Sequence, residues 1–315
     1  MDAPVRRVTV IGTGYLGATH AACMAELGYE VLGMDVDPEK VAALSAGRIT
    51  FFEPGLPEVV ERQVASGRLR FTTSYAEVAA FAAEGPGPAL HFVCVNTPQK
   101  KGEYAADLSY IYSVVDGLAP HLTGPALIVG KSTVPAGTAA RINERFAAAV
   151  QPGASVEVAW NPEFLREGFA VEDTLRPDRL VIGVQSAEAE EALRDVYAPL
   201  IAAGVPLVVT DLATAELVKS AANAYLSTKI SFINAMAEVC EAAGGDVMAL
   251  SQALSYDPRI GGRFLTPGLG FGGGCLPKDI RAFMARAGEL GVDQALAFLR
   301  EVDAINMRQI GRAHV

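Results

Sequence analysis

Val5 to Ile11 is rich in β-branched residues and runs directly into Gly12-Thr13-Gly14-Tyr15-Leu16-Gly17, after which Ala18 to Leu27 has a helical pattern. Strand, glycine turn and helix in that order leave few folds open. The β-branched run reads as a buried parallel strand. In the turn, the first glycine permits a tight bend, the second lets a pyrophosphate approach the backbone, and the third permits close helix–strand packing. The helix N-terminus favours phosphate charge. Glu30 to Asp35 is a second strand that ends in an acid 18 residues past Gly17. Its carboxylate can accept ribose hydroxyls and would repel a 2′-phosphate, so the pattern predicts NAD rather than NADP. A purely structural strand-to-helix turn is the competing reading.

The same texture continues. Pro38 to Ala46 reads as a short helix with proline in its first turn. Leu69 to Thr72, Leu90 to Val95, Leu127 to Gly130 and Val156 to Trp160 read as short strands separated mostly by helical stretches, and Arg179 to Gly183 and Leu207 to Thr210 add two more. Alternation of this kind predicts an α/β, Rossmann-like, doubly wound domain with a mostly parallel sheet over residues 1–210. From Asp211 to Ala243 there is neither proline nor glycine and apolar residues recur at helical spacing. That stretch predicts one helix of roughly 45–50 Å. Gly244-Gly245 ends it, Asp246 caps a second helix to about Ser255, and two more run from Asp279 to about Gln309. Residues 211–309 are thus expected to form an all-helical domain. Ile310 to Val315 departs from the preceding pattern and is expected to be a non-native tail, with the natural reading frame continuing past Gln309.

Composition excludes several classes. At 315 residues two domains are the default. No apolar run is long enough to span a membrane, and the N-terminus lacks a signal-peptide pattern. Four cysteines, Cys23, Cys94, Cys240 and Cys275, are widely spaced and form no CxxC pair, which argues against disulfides or zinc and for a cytoplasmic setting. A net charge of −10 disfavours a nucleic-acid surface. His20, His91 and His121 have no metal-ligand spacing, so no metal is expected.

Gly270-Phe271-Gly272-Gly273-Gly274-Cys275-Leu276-Pro277-Lys278-Asp279 carries the chemistry. Glycines let a substrate approach the sulfur, and a nearby cation or free N–H groups would favour a nucleophilic thiolate. A glycine-rich turn around a buried cysteine is the alternative. Cys94-Val95-Asn96-Thr97-Pro98 and Lys131-Ser132-Thr133-Val134-Pro135 close two strands on the edge where α/β folds bind ligands. Asn161 to Gly168 places Glu163 and Glu167 four residues apart, on one face if the segment is helical. Lys219 and Asn223 share a face of the long helix amid apolar neighbours, where a lysine ordinarily snorkels to solvent. Cys23, Cys94 and Cys240 read as core.

Together these motifs, GxGYLG, CVNTP, KSTVPAGT, NPEFLREG, DPRIG and GFGGGCLPKD, resemble the UDP-glucose/GDP-mannose dehydrogenase family from Val8 to Gln309. Asp257 to Gly261 with Phe264-Leu265 looks most like the UDP-glucose branch; GDP-mannose and other nucleotide-sugar branches are the alternatives. The resemblance implies oxidation of a sugar C6 alcohol to a carboxylate with two NAD+, through a cysteine thiohemiacetal and thioester. It implies Cys275 as nucleophile and Glu163 as acid/base with a water that Thr133 positions. Lys219 and Asn223 would stabilise negative charge on the substrate oxygen, supported by Asp279. NAD would be held by Gly12, Gly14, Tyr15, Leu16, Gly17, Asp35, Lys40, Cys94, Asn96, Thr97, Pro98, Thr133, Glu167 and Lys278. A UDP-sugar would be held by Glu163, Phe164, Leu165, Lys219, Asn223, Arg259, Phe264, Leu265, Gly270, Phe271 and Gly272. It further implies a homodimer through the long helix, with Arg259 serving the partner's site, and a third, nucleotide-binding domain after Gln309. Two other readings are weighed beside it: a 3-hydroxyacid-type dehydrogenase, which needs no thiol, and a non-catalytic NAD-binding dimerisation module.

Overall fold

The computed structural model describes residues 6–312. Strand β1 (Arg7–Ile11) leads through the glycine turn to α1 (Tyr15–Glu26) and β2 (Glu30–Met34). Then come α2 (Pro38–Ser45), α3 (Leu56–Ala65), β3 (Leu69–Thr72), α4 (Tyr75–Ala83) and β4 (Ala89–Val93). The chain continues with α5 (Ser109–Leu118), β5 (Pro125–Gly130), α6 (Thr138–Ala149), β6 (Ser155–Trp160) and α7 (Ala170–Leu175). It closes the sheet with β7 (Leu180–Gly183), α8 (Ala187–Val196), α9 (Ala198–Ala202) and β8 (Leu207–Thr210). Four helices follow: α10 (Leu212–Ala243), α11 (Val247–Ser255), α12 (Leu276–Glu289) and α13 (Phe298–Arg312).

The strands form one eight-stranded sheet in the order β3-β2-β1-β4-β5-β6-β7-β8. Pairing is parallel throughout except between β6 and β7, which meet antiparallel at the single pair Trp160 and Gly183. After β3 the chain returns to the far side of β1, so the β1/β4 boundary is the switch point where a doubly wound sheet opens a ligand crevice at its carboxyl edge. Helices cover a parallel sheet on both faces, so its strands are apolar on both. The central β4 is buried along its whole length, and Val8, Val10, Leu90, Phe92, Leu127 and Val129 belong to one core.

Packing divides the chain into two compact units: residues up to Thr97 with Leu108–Leu217, and Pro98–Asp107 with Val218 onward. The division falls inside α10, whose first turns pack with the sheet. Glu216 there accepts the N–H groups of Gly137 and Ala139 (both 2.6 Å) and so caps α6, which has no side-chain cap of its own. Burial raises this carboxyl to about 7 against the opposing pull of those donors.

The second unit has a small apolar centre of Ala224, Phe271, Ile280, Leu299 and Val302. Beside it lies a polar face of α10, with Ser227, Ser231 and Asn234 all buried. Ser231 donates to the Val302 carbonyl (2.7 Å), and Asn234 accepts from the Gly268 N–H (2.9 Å). Asp246 caps α11 through the Met248 and Ala249 N–H groups. The helix α13 runs through Ile310 and Gly311 to Arg312, and the last three residues of the expected tail lie outside the described residues. Among the described residues no helix is long and apolar enough to cross a membrane.

Candidate active site

At the sheet's carboxyl edge the glycine turn is shaped for a phosphate. Gly12 has φ +89°, and a β-carbon there would fall 2.8 Å from Val95 Cγ1. A β-carbon at Gly17 would lie 2.9 Å from the Gly12 carbonyl carbon and 3.1 Å from Cys94 Cβ. At Gly14, by contrast, the nearest protein atom would be Asn96 Oδ1, 4.0 Å away. Gly14 caps α1 with no side-chain hydrogen bond, so the first N–H groups of the helix are available to an anion.

Asp35 sits just past β2, buried. It accepts from Thr13 N–H (2.9 Å) and hydroxyl (3.1 Å), from Asp37 N–H (3.2 Å) and from Lys40 Nζ (2.9 Å). Burial alone would raise this carboxyl; Lys40 and the backbone donors outweigh it and hold it below the usual aspartate range. Lys40, expected to touch NAD, is therefore engaged as the counter-ion of Asp35. The anion is fixed where ribose hydroxyls belong in such a fold. These residues fit a dinucleotide.

The wall loops are held together. The Thr97 hydroxyl donates to the Thr133 carbonyl (2.7 Å), and Ser132 donates to the Val95 carbonyl (2.6 Å). Cys94 is buried, and burial pushes its thiol up to about 12, so it is an inert part of the wall. Asn96 is exposed. Behind the wall the first residues of two of the motifs, Lys131 and Asn161, meet each other and Tyr197, a grouping that sequence reasoning missed. Lys131 is buried, donates to Asn161 Oδ1 (2.8 Å) and lies 5.8 Å from the Phe92 ring centroid. Tyr197 donates to the same oxygen (2.5 Å), and Asn161 Nδ2 donates to the Val181 carbonyl (2.8 Å). Burial brings the Lys131 ammonium down to about 8.

Asn161 to Gly168 is not helical, so Glu163 and Glu167 do not share a helix face. Hydrogen bonds to side chains hold this irregular segment instead. Glu163 is half-buried and folds back to accept the Leu165 N–H (2.6 Å). Arg166 is paired with Asp173, and the Phe164 ring lies 3.8 Å from the Arg179 guanidinium carbon. Glu167 is exposed at the following turn.

In the second unit Cys275 is exposed and occupies the N-cap position of the 14-residue α12. An anion at a helix N-terminus is favoured by the macrodipole and the free N–H groups, which suits a thiolate. The buried-cysteine alternative is thereby excluded. One turn on, Asp279 is buried and receives Asn223 Nδ2 (2.7 Å) on one oxygen and Lys278 Nζ (2.6 Å) on the other. Lys278, expected at the cofactor, is thus bound to Asp279.

Lys219 is buried, 6 % exposed, and so does not snorkel. Asn223 lies one turn further along the same helix face, also buried. The glycine loop is set by a residue the sequence did not single out: Asn306 on α13 accepts the Phe271 N–H (2.7 Å) and donates to the Phe271 carbonyl (2.8 Å). Leu265 and Phe271 are buried, Gly270 is half-buried and Gly272 exposed. Phe264, also exposed, has φ +65°, the left-handed region that a bulky residue seldom occupies. Arg259 is 87 % exposed and paired with Asp257 (2.6 Å).

Comparison with known proteins agrees with both halves. Residues 6–201 match the UDP-glucose/GDP-mannose dehydrogenase family, NAD binding domain, and residues 213–308 match its central domain. NAD is accordingly the cofactor of the first unit. A UDP-glucose 6-dehydrogenase from Rhizobium meliloti (strain 1021) is 44% identical over 89% of this chain and 63% of its own length. The UDP-glucose 6-dehydrogenase YwqF of Bacillus subtilis (strain 168) is 39% identical over 96% of this chain and 66% of its own. The chain therefore spans somewhat under two thirds of such relatives. A UDP-glucose dehydrogenase from the archaeon Pyrobaculum islandicum superposes with a TM-score of 0.89 at 38% identity, covering 96% of this chain and 68% of that one. A GDP-mannose dehydrogenase from Pseudomonas aeruginosa superposes at 0.73 with 29% identity, over 96% and 69%. From its glycine turn to its cysteine helix, the chain belongs to the UDP-glucose/GDP-mannose dehydrogenase family.

Proposed function

We propose that the protein is a UDP-glucose 6-dehydrogenase, oxidising the C6 alcohol of UDP-glucose to the carboxylate. The observation that carries the reading is Cys275, exposed at the start of α12 one turn before the Asn223–Asp279–Lys278 chain. Hydride transfer alone needs no thiol, so a 3-hydroxyacid-type reaction leaves this arrangement without a use. Relatives named UDP-glucose 6-dehydrogenase support the sugar.

Bound NAD+ would accept the hydride that leaves C6 in each oxidation. Lys219 and Asn223 stabilise negative charge on the C6 oxygen, an effect of about 3 kcal/mol in comparable sites. The alcohol proton passes to Glu163 as the first hydride leaves; Cys275 Sγ, as thiolate, then adds to the aldehyde carbon, a C–S bond replaces the C=O π bond, and Glu163 returns the proton to the oxygen. The thiohemiacetal still bears a hydrogen on C6; as that hydrogen leaves as hydride the hydroxyl gives its proton to Glu163, which passes it to solvent, and a thioester remains. Glu163 takes a proton from a water positioned by Thr133. That water adds to C6, the C–S bond breaks, and carboxylate and thiolate are released. Asp279 holds Asn223 in place for each step.

In this reading Phe164, Leu165, Arg259, Phe264, Leu265 and Gly270 to Gly272 recognise the sugar nucleotide. The protein works in the cytoplasm as a homodimer formed through α10. Support for the dimer comes from Tyr225, Phe232 and Val239, seven residues apart on α10 and all exposed.

The test is product stoichiometry. Two NADH per UDP-glucose are expected, with GDP-mannose and UDP-N-acetylmannosamine poorly used, and Cys275→Ser should release no uronic acid. Full turnover by Cys275→Ser would overturn the assignment.

A further inference from the structure

The loop between α2 and α3 carries Glu53, a carboxylate that none of the chemistry above employs and that is only 1 % exposed. Among the described residues it has three donors. Oε2 accepts the Tyr15 hydroxyl (2.5 Å) and the Gly168 N–H (2.9 Å), and Oε1 accepts the Ala170 N–H (2.8 Å). These donors come from two distant parts of the fold. Tyr15 opens α1 inside the glycine turn. Gly168 and Ala170 end the segment that bears Glu163 and Glu167 and begin α7, which has no side-chain cap of its own.

The loop is also packed against the turn. The Phe51 and Tyr15 rings have centroids 5.3 Å apart. Burial, with Glu53 next, raises the Tyr15 phenol, so its proton stays in place as a donor. A buried carboxylate must have its oxygens satisfied, so movement of any one donor disturbs the others.

We infer that Glu53 is a positioning residue that couples the cofactor turn to the Asn161–Gly168 segment. A dinucleotide that holds the glycine turn holds Tyr15. Through Glu53 it also holds the backbone at Gly168 and Ala170, and with it Glu163 and Glu167. Order gained at one site is then order that the sugar nucleotide need not impose at the other. The inference rests on NAD binding at Gly12 to Gly17.

The test is amide hydrogen exchange across residues 161–175 in the full chain, without NAD and at saturating NAD. Binding itself is followed separately by calorimetry. NAD should slow exchange at Gly168 and Ala170 about tenfold in the wild type, within the usual range of coupling between sites. Tyr15→Phe removes one hydroxyl and leaves the Glu53–backbone bonds, so it keeps the fold and should lose most of the NAD-dependent slowing. Glu53→Gln should lose it too, because its amide turns an N–H toward a donor.

A merely structural Glu53 would change exchange equally with and without NAD. Undiminished NAD-dependent protection in Tyr15→Phe would overturn the coupling, as would its absence in a wild type that binds NAD. No NAD binding by the wild type would overturn the cofactor reading beneath it.

Discussion

The three glycines of the cofactor turn should fail in different ways when a methyl group is added. At Gly17 the new β-carbon would lie 2.9 Å from the Gly12 carbonyl carbon and 3.1 Å from Cys94 Cβ, with the Gly12 carbonyl oxygen nearer still. Carbon contacts are comfortable at about 3.5–4.0 Å, so the first turn of α1 must move by more than about half an ångström. The obstacle is backbone and cannot rotate away. Overpacking of this kind costs about 1–3 kcal/mol, or roughly 2–12 °C in the melting midpoint of a domain this size.

Gly14→Ala meets only Asn96 Oδ1, at an unstrained 4.0 Å, and its backbone is already extended at φ −69°. The melting midpoint should stay within about 2 °C of the wild type. With the dinucleotide bound as proposed, its methyl group would stand where a phosphate oxygen approaches the N–H groups of α1. Loss of one charge-assisted hydrogen bond costs about 1.5–3 kcal/mol, which is about a 10- to 100-fold weaker NAD affinity. Calorimetric titration with NAD and thermal melts of Gly14→Ala and Gly17→Ala, side by side, are the assay. Wild-type NAD affinity in Gly14→Ala would refute the placement of the pyrophosphate, and an unshifted melt in Gly17→Ala would refute the packing argument.

Asp35→Ala should reduce the preference for NAD over NADP, measured as a ratio of dissociation constants; an unchanged ratio would show that the carboxylate does not discriminate. Phe232→Glu on the exposed stripe of α10 should convert the dimer to monomer in sedimentation velocity at micromolar concentration, and a wild type that sediments as a monomer would contradict the proposed assembly. His91 is buried against Thr9 (2.7 Å), and burial lowers it from 6.5 to about 3. The unfolded chain therefore binds this proton first, so stability is present above about pH 6.5 and is lost as pH falls from there toward 3. His91→Asn should flatten that slope in denaturant midpoints between pH 7 and 5, and an identical slope would exclude His91 as its source.

Much of the fold was legible because its signals are local. β-Branched runs, a glycine turn and a proline-free stretch each report on their own few residues, and α10 begins within one residue of the expected start. Cys275 stood out because a glycine run precedes it, whereas Asn223 and Asp279 were expected at the site only through the family resemblance. What stayed hidden depends on distant partners. Glu53 stands in Phe51-Phe52-Glu53-Pro54 with nothing nearby to show that its donors lie at Tyr15, Gly168 and Ala170. Asn306 sits in an ordinary helical pattern, 35 positions from the peptide it clamps. The shared face of Glu163 and Glu167, which required a helical segment, does not form because the segment is held by tertiary hydrogen bonds, which spacing cannot reveal. Lys219 is buried where an isolated helix would expose it, because its surroundings are supplied by the rest of the fold.

The antiparallel junction between β6 and β7 interrupts the backbone ladder of the sheet. One backbone pair, Trp160 with Gly183, joins two otherwise well-laddered blocks. Part of the missing ladder is replaced by a side chain, the Asn161 amide on the Val181 carbonyl, and that amide is itself held by Lys131 and Tyr197. The strip from β7 to β8 is thus joined to the rest of the sheet chiefly through side chains, because Leu180, Ile182, Leu193 and Tyr197 share one core with Val8, Leu90 and Phe92. Raising the pH past about 8, where Lys131 gives up its proton, changes the charge at the very point where the two blocks are fastened.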